Sequence, residues 1–430
     1  MKKINIGLIG YGVVGQGVVK LLRHREDYIR NKFNTEFVLK TLCDRSIHKK
    51  NTRGLGKTKL TRKYQDVFSD PSIEVVIELI GGLRPAKEII TQSLKRGKHV
   101  VTANKELIAY YGKELFELAR RKNRHLYLES TVGAGLPVIK TFSEGIVGNK
   151  FHKIYGIING TCNFILTEMT DNDLSFTKAL EVAQKKGFAE SNPEKDIKGI
   201  DSVHKLAILA YLAFGKFLKV EDIYTEGIAH ISHVDIEHAE SLNLCIKLLA
   251  IAKKEHNMIE ARVAPTLISK DHPLAAIKSN YNAVYLDSYP MGNILLSGQG
   301  AGQLPAASGI VSDLINFAAK GPDSDLLSNI YSEATNVGIR KIDEVRTKFY
   351  MRFMAVDKPG VLSQITGILG RYGIGINSVT QKQHMRTGVV PVVMLTDYAT
   401  EKLVRKALAK IYMLPLVKTR PVAIRMEKLW

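Results

Sequence analysis

The amino terminus runs from a short apolar segment into a glycine-rich turn and then a helix, and this order constrains the fold more than any other feature. The segment INIGLIG is typical of a buried parallel strand. The last residue of this segment begins a G-x-G-x-x-G motif, which includes Gly10, Gly12, Val13, Val14 and Gly15. A strand, this turn and a helix together predict a dinucleotide site, in which the helix N-terminus faces the pyrophosphate.

A second apolar segment, FVLKTLCD, completes the strand–helix–strand unit and ends at Asp44. An acid at this place can bind the ribose 2′-hydroxyl of NAD, whereas the neighbouring Arg45 can receive the 2′-phosphate of NADP. The sequence leaves the choice between NAD and NADP open.

Further strands (VVIELIG, HVVTAN and HLYLEST) alternate with helices, which predicts a Rossmann-type doubly wound sheet over residues 1–131. A stretch at about 301–340 is glycine-rich before a helix and is expected to complete this domain. Lys105 ends the segment TANK, where the fourth strand gives way to a helix. Ligands bind at such strand ends, so Lys105 is a candidate site residue, although a surface lysine that begins a helix fits equally well.

A chain of 430 residues is too long for a single hydrophobic core of ordinary size. The remaining sequence accordingly predicts two more domains. Strand and turn signals mixed with long helices indicate an α+β domain over residues 132–300. Residues 347–430 read as strand–helix–strand–strand–helix–strand, which is the ferredoxin-like order.

Composition excludes some classes of partner. The net charge is +20, but the basic residues are scattered and no nucleic-acid-binding motif occurs, so we expect no nucleic acid. No stretch approaches the roughly twenty apolar residues of a membrane span, so we expect no membrane. The three cysteines lie far apart, which favours a reducing, cytoplasmic compartment.

A run of charges over residues 187–205, GFAESNPEKDIKGIDSVHK, leads directly into the apolar helix LAILAYLAF. Asp201 and Lys205 are four residues apart and therefore share one face of that helix. Charges at the start of a buried helix are costly unless they are paired or used. The pair can be an ordinary ion pair, or it can serve a redox enzyme that protonates a carbonyl oxygen and binds an ammonium group.

Cys162 and a group of histidines invite two other hypotheses. Cys162, in GTCNFIL, would suit the nucleophile of an acylating aldehyde dehydrogenase, but a lone cysteine in an apolar setting is more often a small buried residue. His230, His233 and His238 match no zinc-binding spacing, so we interpret them as solvent-facing helix residues.

The run from Ala183 to Lys205 resembles the homoserine dehydrogenase signature at every fixed position: A-x3-G-F-A, then N-P-x2-D-I-x-G-x-D-x3-K. The segments GYGVVG, TANK, ESTVGAGLP and GTCNFIL also occur in the order of that family. The resemblance covers about residues 1–340, and DKPGVLSQIT in the tail resembles an ACT regulatory domain.

Homoserine dehydrogenases interconvert L-aspartate 4-semialdehyde and L-homoserine with NAD(P)(H), on the route to threonine and methionine. The resemblance implies that residues 132–300 are the catalytic and dimerisation domain, with Lys205 as the proton donor, Lys105 as its partner beside the nicotinamide and Asp201 as a third catalytic residue. It further implies substrate binding by Glu190, Asp201 and Thr161, cofactor contacts at Gly187, Gly300 and Gly302, and a monovalent cation (Na⁺ or K⁺) at Glu129 and the backbone of Val132, Ala134 and Leu136.

The ACT resemblance implies a homodimer or homotetramer and feedback regulation, with threonine as the effector. Asp357, Pro359 and Gly360 lie between the first strand of the module and its helix, where backbone amides can bind a carboxylate. Asn377 lies on the next strand, within reach of a ligand's polar groups. The alternative is a purely structural dimerisation module.

Two other functions stay open at this point. Aspartate semialdehyde dehydrogenase would need a catalytic cysteine, so replacing Cys162 would separate it from homoserine dehydrogenase. An amino-acid-sensing regulator would bind a nucleotide without turnover, but the complete signature and the lack of a nucleic-acid-binding module weigh against it.

Overall fold

The computed structural model describes residues 1–320, 336–381 and 388–428. Part of the stretch expected to complete the first domain, 321–335, therefore lies outside the described residues. The chain falls into two units, each built from separated segments. Unit 1 comprises Met1–Ile154, His204–Glu221 and Asn282–Asn336, and unit 2 comprises Tyr155–Val203, Asp222–Tyr281 and Val337–Trp430.

Strands and helices alternate through most of the chain. The described strands are β1 (Lys2–Ile9), β2 (Thr35–Cys43), β3 (Lys59–Thr61), β4 (Val75–Glu78), β5 (His99–Thr102), β6 (Leu126–Tyr127), β7 (Lys150–Ile157), β8 (Tyr224–Thr225), β9 (Leu244–Glu255), β10 (Met258–Ser269), β11 (Tyr281–Tyr289), β12 (Gly292–Gln299), β13 (Gly338–Ile339), β14 (Arg346–Val356), β15 (Ile376–Gln381), β16 (Val389–Thr396), β17 (Ala399–Thr400) and β18 (Val422–Met426). The described α-helices are α1 (Val13–His24), α2 (Glu26–Phe33), α3 (Gln65–Phe68), α4 (Ala86–Lys95), α5 (Lys105–Arg121), α6 (Val138–Lys140), α7 (Gly160–Asp171), α8 (Phe176–Lys185), α9 (Glu194–Ile197), α10 (Ile200–Phe214), α11 (His233–Ser241), α12 (Gln303–Lys320), α13 (Val361–Arg371) and α14 (Glu401–Tyr412).

Unit 1 contains a parallel sheet of six strands in the order β3-β2-β1-β4-β5-β6. This order is that of a Rossmann sheet, which confirms the predicted fold class. The inner strands are apolar at almost every position because helices cover both faces; Ile6, Leu8 and Ile77 are fully buried.

Helix α12 packs on α1 and brings a distant segment back to the nucleotide-binding sheet. Ala307, Ile310 and Leu314 join the same buried cluster as Val18 and the strand residues. The contact is close because α1 offers no side chain at Gly17, where a Cβ would lie 2.8 Å from Gln303. Of the predicted 301–340 stretch, α12 thus packs with α1, whereas Gly338–Ile339 form β13, which pairs with β10 in unit 2.

Unit 2 is built around the antiparallel pair β9–β10 and a carboxyl-terminal module. The module has the element order β14-α13-β15-β16-β17-α14-β18, and its strands lie in the order β18-β14-β16-β15. This is the ferredoxin-like arrangement, as predicted. Strand β18 also pairs in parallel with β10, where Thr266 lies opposite Arg425, so the module extends the sheet of β9 and β10.

Buried ion pairs join the module to the rest of unit 2. Arg425 on β18 contacts Glu226 at 2.7 Å and Glu401 at 2.6 Å. Arg352 on β14 donates two hydrogen bonds, of 2.7 and 3.0 Å, to the fully buried Asp235 at the start of α11.

The predicted three-domain division, with boundaries near residues 131, 300 and 347, stays a prediction. In the ranges that the structure describes, no helix is long and apolar enough to cross a membrane.

Candidate active site

The glycine motif forms a tight turn between β1 and α1. Gly10 has φ +102°, and a Cβ there would lie 2.7 Å from the Leu79 backbone. A Cβ on Gly15 would lie 2.1 Å from the Gly10 carbonyl oxygen, so only glycine lets α1 begin this close to the strand. A Cβ added at Gly12 would meet no atom of the described chain within 4 Å. The open side of Gly12 is where a pyrophosphate can approach the backbone, so the loop fits a dinucleotide.

Asp44 at the end of β2 is fixed against this turn. Its carboxylate accepts hydrogen bonds of 2.8 Å from the Tyr11 N–H, the Ser46 N–H and the Ser46 hydroxyl. Burial would raise the pKa of the Asp44 carboxyl, but these bonds and Lys50 outweigh burial and lower it. Asp44 is therefore an anchored anion, while its neighbour Arg45 is exposed.

The segment TANK forms a hydrogen bond with a buried glutamate, Glu78, which the sequence patterns did not indicate as a site residue. Glu78 at the end of β4 is fully buried and accepts hydrogen bonds from the Thr102 hydroxyl at 2.7 Å and the Ile80 N–H at 2.8 Å. Asn104 caps α5, accepting from the Leu107 N–H at 3.1 Å. Thr102 and Asn104 thus fix the strand end, and Lys105 follows as the first residue of α5, half-buried.

Helices α5 and α10 run side by side in the same direction. Tyr110 lies against His204 with ring centroids 5.7 Å apart, and Phe116 lies against Tyr211 at 5.9 Å. The amino-terminal ends of the two helices therefore lie at one end of the pair. Lys205 is 8% exposed near the start of α10, so it is a buried lysine, and its predicted role as proton donor stays a prediction.

The GQGAG turn lies beside the nucleotide loop. Gln303 donates from its amide to the Val13 carbonyl at 3.0 Å, and Gly302, at φ +128°, precedes α12. Gly300 faces the amide of Asn282, which a Cβ on Gly300 would overlap. Asn282 is 1% exposed, and its amide atoms meet no hydrogen-bond partner within the described chain. Buried amides are nearly always satisfied, so a ligand or water is expected here.

In unit 2, the substrate-signature residues meet at the start of α7. Asn159 caps this helix and donates from its amide nitrogen to Asp196 at 2.7 Å and to Asp201 at 3.1 Å. The Thr161 hydroxyl lies 3.4 Å from the other oxygen of Asp196 and donates to the Phe188 carbonyl at 2.6 Å. The sequence singled out Thr161 and Asp201, and the structure adds Asn159 and Asp196 to them.

Two other predicted residues have backbone roles. Gly187, at φ +75°, ends α8 and donates from its N–H to the Gln184 carbonyl at 3.0 Å. Glu190 is exposed, and its carbonyl accepts from the Gln184 amide at 3.1 Å. Their predicted contacts with cofactor and substrate stay predictions.

The predicted cation site contains a pair of buried acids. Glu129 accepts from the N–H groups of Ile139 at 2.9 Å and Lys140 at 3.1 Å, while its own N–H donates to Asp313 at 3.0 Å. Burial, together with the Asp313 charge in the case of Glu129, raises the pKa of both carboxyls. A cation beside them would relieve that repulsion. Ala134 adopts φ +55°, which turns the loop between the buried Val132 and the half-buried Leu136.

In the described residues, the surroundings of Cys162 and of the histidines differ from those of a catalytic nucleophile or a metal site. Cys162 is fully buried, and its thiol donates to the Asp196 carbonyl at 3.2 Å. His230 lies 3.2 Å from Glu226, and His233 contacts Asp173. His238 is 2% exposed, so its interpretation as solvent-facing is wrong: α11 turns it inward. Among the residues described, no three His, Cys, Asp or Glu side chains are grouped as a metal site.

The predicted effector residues lie at one end of the module. Gly360, at φ +84°, caps α13, and the loop before it begins at Asp357, whose N–H donates to the Gly388 carbonyl at 3.0 Å. Gln381 on β15 donates to the Asp357 carboxylate at 3.3 Å. Asn377 is exposed at an irregularity in the β15–β16 pairing, so the loop and β15 border the same edge.

Comparison with known proteins gives the same assignment over the whole chain. Residues 137–315 match the family described as homoserine dehydrogenase, 10–129 its NAD binding domain, and 349–411 the ACT domain. The homoserine dehydrogenase of Synechocystis sp. is 39% identical over 98% of this chain and 99% of its own length. That of Neisseria gonorrhoeae is 37% identical over the full length of both.

The chain belongs to the homoserine dehydrogenase family. A solved homoserine dehydrogenase from Thiobacillus denitrificans superposes with a TM-score of 0.91 at 39% identity, covering 100% of this chain and 99% of that one. A hyperthermophilic archaeal homoserine dehydrogenase in complex with NADPH has a TM-score of 0.63 at 27% identity, covering 75% and 99%. The predicted family, the ACT domain and the NAD(P)-dependent oxidoreductase activity are thereby confirmed, and aspartate semialdehyde dehydrogenase is set aside.

Proposed function

We propose that Lys205 is the proton donor when this homoserine dehydrogenase reduces L-aspartate 4-semialdehyde to L-homoserine. The observation that carries the proposal is the buried position of Lys205 at the start of α10, alongside α5, whose first residue is Lys105. A lysine is rarely buried unless its charge is paired or takes part in the reaction.

When bound, the nicotinamide of NADPH or NADH supplies the hydride that adds to the carbonyl carbon. The electron pair of the C=O bond moves to oxygen, and the Lys205 ammonium donates its proton there. Lys205 is left neutral and regains a proton from water before the next turnover. Lys105 provides a second positive charge for the developing alkoxide.

Asp201, Glu190 and Thr161 bind the amino-acid part of the substrate in this proposal. Carboxylates suit its ammonium and hydroxyl groups, and the meeting of Asp201 and Thr161 around Asp196 supports a polar pocket in unit 2. Gly187, which follows α8, is proposed to approach the cofactor through its backbone.

We expect the enzyme to use both NAD(H) and NADP(H), with NADP(H) bound at least as tightly. Asp44 can accept from a ribose hydroxyl, whereas the exposed Arg45 offers a forked donor to a 2′-phosphate. The archaeal relative in complex with NADPH supports use of the phosphorylated cofactor.

A monovalent cation, Na⁺ or K⁺, is proposed at Glu129 and the carbonyls of Val132, Ala134 and Leu136. Carboxylate and carbonyl oxygens suit hard cations, and two buried acids side by side favour an added positive charge.

The ACT domain is proposed to bind threonine and restrain the enzyme as a homodimer or homotetramer. The left-handed Gly360 provides no side-chain cap, so N–H groups in the first turn of α13 after Val361 can bind a carboxylate, and Asp357 and Asn377 border this end of the helix.

The test follows NAD(P)H absorbance with aspartate semialdehyde for the wild type, Lys205→Ala and a control. Loss of the general acid should lower kcat by about 10²–10⁴-fold. Lys198→Ala is the matched control, because Lys198 is an exposed lysine of the same segment paired with Glu194 at 2.9 Å. A near-normal kcat in Lys205→Ala would remove the assignment.

A further inference from the structure

Two acids of the substrate segment share one amide group. The Asn159 amide nitrogen carries two N–H bonds, and the structure aims one at Asp196, 2.7 Å away, and the other at Asp201, 3.1 Å away. If both bonds follow the N–H directions, the two acceptor oxygens lie about 5 Å apart. One ammonium of a ligand can donate to both oxygens across such a gap.

Asn159 is itself held in a single orientation. Its side-chain oxygen accepts from the Cys162 N–H at 2.8 Å, and its backbone carbonyl accepts from the Asn163 N–H at 3.1 Å. The residue is 5% exposed. Because the oxygen must face the helix N–H, the nitrogen must face the acids, and turning the amide over would lose all three side-chain bonds.

The first turn of α7 also forms a hydrogen bond with the backbone of Asp196. The Cys162 thiol donates to the Asp196 carbonyl at 3.2 Å, and Thr161 borders the second carboxylate oxygen at 3.4 Å. Two carboxylates this close repel each other, and the Asn159 amide donates to both of them. Without that amide, the acids would lose a donor that they share, and their repulsion would favour a wider separation.

We propose that Asn159 is a positioning residue that fixes the spacing of Asp196 and Asp201 for the polar end of the substrate. The inference rests on the proposed function of Asp201. It gives Asn159 two separable roles: it caps α7 through its oxygen and bridges the acids through its nitrogen.

These roles can be separated because serine caps a helix as well as asparagine does but cannot bridge two acids. Asn159→Ser and Asn159→Ala should both raise the KM for homoserine by about 10- to 100-fold, the value of one hydrogen bond to a charged group. The dissociation constant for NADP⁺ should stay within about twofold. Asn159→Ala should lower the melting temperature by about 2–4 °C more than Asn159→Ser does, because serine keeps the helix cap.

The deciding measurement is homoserine oxidation kinetics in these variants, in Asp196→Asn and Asp201→Asn, and in Asn159→Ser combined with Asp201→Asn. The bridge predicts that Asn159→Ser costs less in the combined variant than alone, because one of its acceptors is already lost as an anion. A wild-type KM in Asn159→Ser refutes the bridge while the proposed function stands. If the two aspartate variants keep a wild-type KM, the proposed function of this pocket fails and the bridge fails with it.

Discussion

Replacing Glu226 by glutamine should destabilise unit 2 in a way that depends on pH. Glu226 lies between the Arg425 guanidinium at 2.7 Å, the His230 ring at 3.2 Å and the Tyr224 hydroxyl at 3.0 Å. Burial would raise the pKa of the Glu226 carboxyl, but the hydrogen bond from His230 and the Arg425 charge outweigh it and lower the pKa to about 2. Glutamine keeps the shape and loses the charge.

The size of the effect follows from that pKa. A fall from the ordinary 4.5 to about 2 corresponds to roughly 3 kcal/mol of stability at pH 7, since each tenfold change in acidity is worth about 1.4 kcal/mol. Breaking one pair of a buried ion cluster has a similar cost, about 3–5 kcal/mol.

The pH dependence has a definite sign. A carboxyl with a lowered folded-state pKa stabilises the fold fully above its unfolded pKa, and this contribution is lost as pH falls from about 4.5 towards 2. The difference in unfolding free energy between wild type and Glu226→Gln should therefore fall from about 3 kcal/mol at pH 7 to about 1 kcal/mol at pH 3.

Urea denaturation followed by circular dichroism measures this difference in unfolding free energy. Hydrogen exchange on peptides from β8, β18 and α14 shows where in the chain the stability is lost. Glu240→Gln is the matched control: Glu240 pairs with Lys270 at 2.9 Å, but both side chains are about two-fifths exposed, at 41% and 38%. Exposed pairs contribute about 0–1 kcal/mol, so this variant should change little. Equal losses in the two variants, or a Glu226→Gln loss that is the same at pH 7 and pH 3, would refute the reasoning.

Two further predictions concern ligands. Arg45→Ala should raise the KM for NADP(H) far more than that for NAD(H), because only the phosphorylated cofactor uses the guanidinium; equal changes in steady-state kinetics with both cofactors would count against Arg45 as the phosphate ligand. Asn377→Ala should weaken threonine binding measured by calorimetry and relieve inhibition by millimolar threonine. If the intact wild-type enzyme binds no threonine and its rate ignores it, the effector assignment is wrong.

The nucleotide loop could be predicted from the sequence in some detail, because its geometry is local. Gly10 and Gly15 are glycines for steric reasons that act within a few residues or against the next strand, so the motif carries its own structure. The alternation of strands and helices likewise predicts the parallel sheet, since each apolar run is short and buried on both faces.

The polar contacts that join distant segments could be predicted only in part, because the two residues of each contact are far apart in the chain. Asn159 and Asp201 are separated by 42 positions, and Glu226 and Arg425 by 199, and no periodic pattern connects them. Asp196 occupies a fixed position of the signature, so a signal existed, but a signature does not say which side chain a residue meets. His238 matches no zinc-binding spacing, which favoured a solvent-facing position, but spacing alone does not show which way a helix residue faces, and α11 turns His238 inward.

Strand β18 is synthesised after β10 and β14, yet it lies between them and pairs with both. While the chain is being synthesised, Thr266 and Leu267 of β10 and residues 348–352 of β14 lack the partners that β18 will provide, and they must wait for residues synthesised about 70 to 160 positions later. A premature stop before Val422 would leave both strands with an open edge at which other chains can add. The closing of this sheet therefore depends on β18, which is synthesised long after the two lysines that are proposed to act in catalysis.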